Sequence, residues 1–103
     1  MDVVGVAVIG EFRLPADRMD EARPAMARVI AATLAEQGCI SYSYAEDVLD
    51  PGLIRVSERW VRRENLDAHL TAPHMAQWKA EREALGMTGR EITVYTVSGA
   101  QSA

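Results

Sequence analysis

Residues 39–60, CISYSYAEDVLDPGLIRVSERW, contain two stretches of alternating side chains joined by a turn signal. In a β-strand, side chains two positions apart lie on the same face of the sheet. The segment DPG favours a tight turn, because proline fixes one backbone dihedral and glycine permits unusual values at the next. We therefore predict an antiparallel hairpin. The residues expected to share one side of each strand are Ile40, Tyr42 and Tyr44 in the first stretch and Ile54, Val56, Glu58 and Trp60 in the second.

The segments on either side of this hairpin complete a β-α-β-β-α-β order. Alternating β-branched residues predict strands, and apolar residues at intervals of three and four predict helices. This order predicts a ferredoxin-like split βαβ domain of the α+β class over residues 1–103, with a four-stranded antiparallel sheet and helices on one face. The predicted elements are strand 3–13, helix 17–37, hairpin strands 39–49 and 53–61, helices 63–71 and 73–85, and strand 91–98.

Two residues set expectations for the long helix. Pro24 lies too far inside to be a first-turn proline, so it removes an internal hydrogen bond and should kink the helix or delay its start. Gly38 stands where a left-handed residue ends a helix most easily.

The composition excludes several classes of protein. A net charge of −4 with scattered basic residues offers no stripe for binding phosphates, so we expect no nucleic-acid partner. No apolar stretch approaches the roughly 20 residues that span a bilayer, so we expect no membrane partner. The single cysteine, Cys39, cannot form an intramolecular disulfide, and the first residues lack the pattern of a signal peptide. We therefore expect a cytoplasmic protein.

Several strands carry apolar groups on both faces. In strand 3–13, valines occupy one side while Val3, Ala7 and Ile9 occupy the other. The predicted helices can cover only one face of the sheet. A second copy of the same sheet is the simplest cover, so we expect a homodimer that closes two sheets face to face.

Three fragments resemble the antibiotic biosynthesis monooxygenase family: EQGCISYSY (36–44), DPGLIRVSERW (50–60) and ENLDAHLTAPHM (64–75). The family pattern is a helix ending before Gly-Cys, then Asp-Pro, Glu-x-Trp, and Ala-His with a second histidine five residues later. The resemblance implies a dimeric α+β barrel with a pocket in each subunit. It also implies that molecular oxygen oxidises an electron-rich phenol or quinol, a small aromatic or polyketide-type compound, without a metal, flavin or haem.

His69 and Glu58 are the candidate catalytic residues. Deprotonation makes a phenol a good one-electron donor, so the site needs a base or an anion-stabilising donor that is shielded from water. His69 matches the family's Ala-His, and imidazole titrates near neutral pH, although a histidine bonded to a nearby carbonyl would look the same in sequence. Glu58 is an alternative base if its side of the strand faces the pocket, and otherwise would bind an arginine across the dimer.

Four residues are candidates for substrate binding: Trp60, Tyr42, His74 and Trp78. Either tryptophan could wall a pocket for a planar substrate or fill the core. We favour the pocket for Trp60, which matches Glu-x-Trp, and the core for Trp78 together with Met75. The Tyr42 hydroxyl could orient a substrate or satisfy a buried polar group. His74 follows a proline at a helix start and could serve only the local backbone.

Other functions are weighed against this one. The two histidines lie five residues apart with a proline between them, which is not the spacing of a helical ligand pair, so we expect no metal site. The haem-degrading branch of the fold needs a histidine on the last helix, where this chain has Trp78 and Lys79. It also needs an asparagine on the first strand, but the only asparagine of this chain is Asn65, so we do not expect haem degradation. Two alternatives stay open: a non-catalytic dimeric ligand-binding or stress-associated module, and a cofactor-free isomerase or cyclase acting on similar compounds.

Overall fold

The computed structural model describes residues 5–103. Within them, the strands are β1 (Gly5–Arg13), β2 (Cys39–Glu46), β3 (Leu53–Trp60) and β4 (Thr88–Val97). The helices are α1 (Met19–Leu34), which follows a 3₁₀ turn at Ala16–Arg18, then α2 (Arg63–Leu70) and α3 (Pro73–Leu85). Val3 and Val4, which the predicted first strand includes, lie outside the described residues.

The four strands form one antiparallel sheet in the order β2-β3-β1-β4. The central strand β1 lies between β3 and β4, and β2 pairs with β3 across the hairpin. This order, with helices against one face, is the ferredoxin-like α+β fold, and the predicted fold class is confirmed. The register places Tyr42 opposite Glu58 and Trp60 opposite Val6 on the face that meets the helices.

The hydrophobic core lies between the sheet and the helices. Alternate residues of β1 and β3 point into it, as their sequence pattern predicts. Each fully buried aliphatic or aromatic side chain stabilises the fold by about 1.5–3 kcal/mol relative to an exposed one. The core residues that are at most 4% exposed include Val6, Val8, Phe12, Ala22, Val29, Ile54, Val56 and Trp60.

The strand β2 ends earlier than predicted. The prediction extended it to Leu49, but its pairing with β3 stops at Glu46. The Asp47 side chain accepts a hydrogen bond from the Leu49 backbone N–H at 2.9 Å, and the Asp47 N–H donates to the Leu53 carbonyl at 2.9 Å. This local bonding starts the turn before the apolar residues end, so Val48 and Leu49 are 97% and 90% exposed.

A bulge at the start of β2 changes the side on which Ile40 lies. Cys39 and Ser41 pair with consecutive residues of β3, so Ile40 between them is left out of the register. One extra residue on a strand shifts the side chains before it to the opposite face. Ile40 is therefore 46% exposed while Tyr42 is 4% exposed. The alternation prediction is confirmed for Tyr42 and wrong for Ile40.

The long helix differs from its predicted limits. Pro24 lies five residues after the first residue of α1, Met19, so it does not delay the start of the helix. The helix ends at Leu34, with Ala35 as its C-terminal cap, and not at residue 37. Gly38 has the predicted positive φ of 81° but lies beyond the cap, so its predicted role in ending the helix is wrong. Among residues 5–103, no helix combines the length and the apolarity that crossing a bilayer would require.

The sheet face away from the helices is only partly apolar. Ile9 and Tyr95 are 51% and 52% exposed on it. Nearby, Arg55 forms ion pairs with Glu11 at 3.0 Å and with Asp47 at 3.3 Å, and exposed pairs of this kind add little stability. The apolar surface available to a partner is therefore smaller than the strand pattern predicts.

Gly10→Ala should destabilise the protein more than Gly89→Ala. A Cβ atom at Gly10 would overlap the backbone carbonyl of Glu91 in the neighbouring strand β4. At Gly89 the new atom would meet nothing closer than 3.9 Å, and only the backbone φ of 60° opposes the change. We expect losses of about 2–3 kcal/mol at Gly10 and about 1 kcal/mol at Gly89, measured by urea unfolding. Equal losses would contradict the close approach of β1 and β4.

Candidate active site

A cavity of about 210 Å³ lies between the sheet and the short helices α2 and α3. An apolar cavity of about 150 Å³ holds one benzene molecule, so this cavity has room for one substituted aromatic ring. Its wall is mostly apolar with a few polar groups converging on it, which is typical of small-molecule sites. The polar lining residues are Tyr42, Tyr44, Glu58, His69, Arg82 and Arg90.

Three side chains from separate parts of the chain meet beside one end of the cavity. Glu36 lies just after α1, His69 lies in the last turn of α2, and His74 lies in the first turn of α3. The Glu36 Oε2 atom is 2.6 Å from His69 Nδ1 and 2.9 Å from His74 Nε2. One carboxylate oxygen therefore accepts a hydrogen bond from each imidazole. The cavity wall includes His69 but not His74, so substrate binding by His74 stays a prediction.

The protonation of His69 follows from its surroundings. The His69 imidazole is 1% exposed, and burial lowers its pKa. The hydrogen bond and the charge of Glu36 raise this pKa, and the charge of His74 lowers it further. The ring is therefore neutral over a wider pH range than an exposed histidine. Because a carboxylate can only accept, the proton of the neutral ring resides on Nδ1. The other nitrogen, Nε2, keeps a lone pair and has no hydrogen-bond partner within residues 5–103. This is the tautomer that a general base requires.

Tyr42 and Tyr44 form a hydrogen-bonded pair in the cavity wall. Their hydroxyl oxygens lie 2.6 Å apart. Burial raises the pKa of Tyr44 to about 12 and raises that of Tyr42 further, so both phenols are neutral at physiological pH. The two hydroxyls carry two hydrogens, and their mutual bond uses only one of them. The second hydrogen is available to an oxygen atom of a ligand.

Glu58 and Trp60 both point from β3 towards the helices, but only Glu58 reaches the cavity. Trp60 is fully buried, and its indole N–H donates to Glu58 Oε1 at 3.0 Å. Its ring packs on His69 with centroids 4.9 Å apart. Trp60 thus supports the two candidate catalytic residues from behind, and since the described cavity wall does not include it, substrate binding by Trp60 stays a prediction. Burial raises the pKa of Glu58, against the opposing effects of the Trp60 hydrogen bond and the Arg90 charge.

Trp78 belongs both to the core and to the cavity wall. It is 1% exposed and packs its ring near those of Phe12 and Tyr44, at centroid distances of 6.2 and 6.0 Å, so the predicted core position is confirmed. It also lines the cavity. Its indole N–H lies near enough to Tyr44 to lower the pKa of that phenol, but within the described residues it meets no acceptor in hydrogen-bonding geometry. Within the described residues, the Trp78 indole N–H is therefore a hydrogen-bond donor without an acceptor, next to the cavity.

Sequence reasoning missed Glu36 and Arg82. Glu36 lies 33 residues before His69 in the chain, and its only signal is its position immediately before the Gln-Gly-Cys motif. Arg82 falls on the same helical stripe as Met75 and Trp78, and it lines the cavity with them. An arginine on an otherwise apolar stripe was the signal, since such residues are rarely turned inward without a reason.

The cluster of Glu36, His69 and His74 could also bind a transition metal. Its ligand atoms lie within 4.8 Å of one another. The sequence spacing of the two histidines, from which we expected no metal site, therefore does not prevent them from lying together in the folded chain. Ligands placed about 2.0–2.1 Å from a tetrahedral Zn²⁺ are roughly 3.3 Å from each other. The observed separations of 2.6 and 2.9 Å are those of hydrogen bonds, and the side chains would have to move apart to admit an ion.

The chain matches a known family over most of the residues that form this site. Residues 5–81 match the sequence profile described as antibiotic biosynthesis monooxygenase. The chain belongs to this family. The resemblance seen in the three sequence fragments is confirmed, and membership supports a general monooxygenase-like function.

Individual relatives agree with this assignment. A Mycobacterium tuberculosis protein provisionally named a monooxygenase is 36% identical over 76 residues, which is 74% of each chain. Its solved structure has a TM-score of 0.81 and 32% identity, covering 94% of this chain and 98% of that one. A Deinococcus radiodurans structure, provisionally named an antibiotic biosynthesis monooxygenase, has a TM-score of 0.89 and 26% identity, covering 95% and 97%. An uncharacterised Synechocystis protein is 27% identical over 97 residues, and the match spans 94% of this chain and 66% of that protein.

Glu58→Gln should stabilise the protein at neutral pH. Because burial raises the pKa of Glu58 in the folded state, the carboxyl's contribution to stability is present at low pH and is lost as pH rises through the raised pKa. Glutamine does not ionise, and its amide oxygen can still accept the Trp60 N–H. We expect the free energy of unfolding to rise by about 1 kcal/mol at pH 8 and less at pH 5, measured by urea unfolding. Exposed Glu64→Gln is the control, and a Glu58→Gln protein less stable than wild type at pH 8 would refute the argument.

Proposed function

We propose that this protein is a cofactor-independent monooxygenase that oxidises an electron-rich phenol or quinol with molecular oxygen. The observation that carries the proposal is the hydrogen-bonded pair of His69 and Glu36 beside a mostly apolar cavity. A neutral imidazole with a free Nε2, in a place that burial shields from water, is suited to deprotonate a phenol. Family membership supports the coarser part of the proposal, a monooxygenase-like function.

The reaction begins with transfer of the substrate hydroxyl proton to His69 Nε2. The Glu36 carboxylate stabilises the imidazolium that forms, as an acidic partner does for a catalytic histidine elsewhere. The phenolate gives one electron to O₂, and the phenoxyl and superoxide radicals join in a new carbon–oxygen bond. His69 returns its proton to the peroxide, and loss of water leaves a quinone. One oxygen atom enters the product, the other leaves as water, and every electron comes from the substrate.

The remaining polar groups suit this sequence. The free hydroxyl hydrogen of the Tyr42–Tyr44 pair can donate to the substrate oxygen and help to hold it as an anion. Glu58, whose pKa burial raises, is a second group able to exchange a proton with the substrate. An isomerase or cyclase could use the same groups for proton transfer, but it would not consume oxygen.

His69→Gln and Glu36→Gln should slow substrate-dependent oxygen uptake to different extents. Loss of the base should lower kcat/KM by about 100-fold or more. Glu36→Gln keeps an acceptor for Nδ1–H but removes the charge that raises the pKa of His69, so we expect a loss of about tenfold and a shift of the acidic limb of the pH profile to lower pH. An oxygen electrode and a panel of naphthols, anthrols and quinols, with chelator-treated protein, supply the measurement.

The control for this experiment is Arg62→Gln, an exposed change outside the cavity wall, which should leave the rate unchanged. Wild-type protein that consumes no oxygen with any compound would contradict the proposal. Conversion of a compound without oxygen uptake would instead identify an isomerase or cyclase, and binding without any conversion would identify a ligand-binding module.

We also propose that two copies associate through the open face of the sheet. Ile9 and Tyr95 expose apolar surface there that the helices cannot cover. The same face carries both acidic and basic groups, among them Glu11 and Arg55, so it can meet a second copy without a conflict of like charges.

Tyr95→Glu should shift the protein from dimer to monomer. A carboxylate in the centre of a closed interface would lose its water without gaining a partner. Light scattering coupled to size-exclusion chromatography gives the mass directly. Gln77→Glu, which adds the same charge on the exposed side of α3, should leave the mass unchanged. A wild-type protein that is monomeric at all concentrations would refute the association.

A further inference from the structure

Two guanidinium groups line the cavity, and neither forms an ion pair with the residues that the structure describes. Arg82 extends from α3 and is half-buried, and Arg90 extends from the start of β4. Six other arginines of residues 5–103 form ion pairs, whereas Arg82, Arg90 and the exposed Arg59 and Arg62 have no carboxylate oxygen within 4.0 Å in that part of the chain. Arg82 differs from the other three in being half-buried, and a half-buried guanidinium is costly without a counter-charge, so an anion is expected to bind between it and the exposed Arg90 at the cavity edge.

The charges around the cavity do not balance. Glu58 is the acidic residue of the described lining, and its carboxylate already accepts the Trp60 N–H. Two guanidiniums face one carboxylate, so the described lining carries a net positive charge whether or not Glu58 is ionised, in a chain whose net charge is −4. Burial, and after it the neighbouring charge of Arg90, lower the pKa of Arg82, against the opposing effects of Tyr44, Tyr42 and Glu83. A bound anion would favour the charged form of Arg82.

The backbone of Arg90 lies further along the sheet, in the strand direction, than the residues next to His69. The His69 ring packs on Trp60, which pairs with Val6 at the start of β1. The residue two positions after Arg90, Ile92, pairs with Gly10. The four steps along the strand from Val6 to Gly10 span about 13 Å, and the backbone of Arg90 lies beyond them. The charge of Arg82 lowers the pKa values of Tyr42 and Tyr44, so Arg82 lies on the tyrosine side of the cavity, and the Tyr42 ring lies between it and His69 with its centroid 5.3 Å from that of the imidazole.

We propose that the substrate is an aromatic acid whose ring hydroxyl meets His69 and whose carboxylate binds Arg82 and Arg90. The position of the hydroxyl rests on the proposed function, while the carboxylate subsite rests on the two guanidiniums. A guanidinium matches a carboxylate with two parallel hydrogen bonds, which gives orientation as well as affinity. The cavity volume of about 210 Å³ suits a single ring bearing the two groups on opposite sides, as in 4-hydroxybenzoate.

The test compares the binding of 4-hydroxybenzoate with that of 4-hydroxybenzyl alcohol, which keeps the ring and the phenol but has no charge. Isothermal titration under nitrogen measures binding without turnover. We expect the acid to bind at least about tenfold more tightly than the alcohol. It should also bind more tightly than 2-hydroxybenzoate, whose two groups are adjacent on the ring and cannot reach both His69 and the two arginines.

Substitutions at the two arginines test whether they cause the preference for the acid over the alcohol. Arg82→Gln and Arg90→Gln should each weaken binding of the acid by about tenfold and change binding of the alcohol by less than about threefold. Arg82→Lys keeps the charge and should restore part of the loss, which a purely structural role would not predict. Arg62→Gln, outside the cavity wall, should bind both compounds as wild type does.

Each outcome separates this inference from the proposed function. If the alcohol binds as tightly as the acid, or if the glutamine variants keep the preference, the carboxylate subsite is refuted while oxygenation of uncharged phenols can still stand. If neither compound binds although an uncharged phenol supports oxygen uptake, the subsite is likewise refuted. If the acid binds with the expected preference but no compound consumes oxygen, the subsite stands and the monooxygenase proposal fails.

Discussion

The site depends on one carboxylate oxygen, Glu36 Oε2, which accepts hydrogen bonds from two imidazoles on different helices. This contact joins the end of α1 to the last turn of α2 and the first turn of α3. The helix α2 has only 8 residues, whereas isolated helices in water need about 12–15 to be even marginally stable, so tertiary contacts must hold it. The same contact fixes the tautomer of His69, so one interaction sets both the local fold and the chemistry.

The polar groups of the cavity differ along the direction of the strands. A neutral imidazole supported by a carboxylate lines one part of it, next to a pair of neutral phenols, and the backbone of Arg90 lies further along the sheet. Tyr42 and Glu58 are cross-strand neighbours on the face that meets the helices, where an ordinary core would have aliphatic residues. Burying these groups costs stability, which the hydrogen bonds to Tyr44 and Trp60 offset in part. If these residues served only to fill the core, aliphatic residues in their place would make the fold more stable.

Family membership and fold set the framework but do not specify a reaction. Solved structures with the same fold and as little as 14% identity superpose over nearly the whole chain, because backbone topology tolerates wide changes in side chains. The chemistry resides in the few polar groups that this chain directs into the cavity. Trp60 shows that a family motif does not by itself identify a cavity residue. It matches the motif, yet it packs behind His69 and is not among the residues of the described cavity wall.

The sequence by itself determined the element order, the side of the strand that Glu58 shares with Trp60, the burial of Trp78 and the family, because these depend on local alternation, helical spacing and short motifs. It left open which face of the sheet Glu58 occupies. It misplaced Ile40 and the end of β2, where a bulge and a side-chain hydrogen bond override the alternation. Only the tertiary structure brought Glu36 to His69, across 33 residues of chain, and turned Arg82 from a helical stripe into the cavity. Periodicity along one element shows which side chains share a face, but the packing of separate elements decides which of them meet.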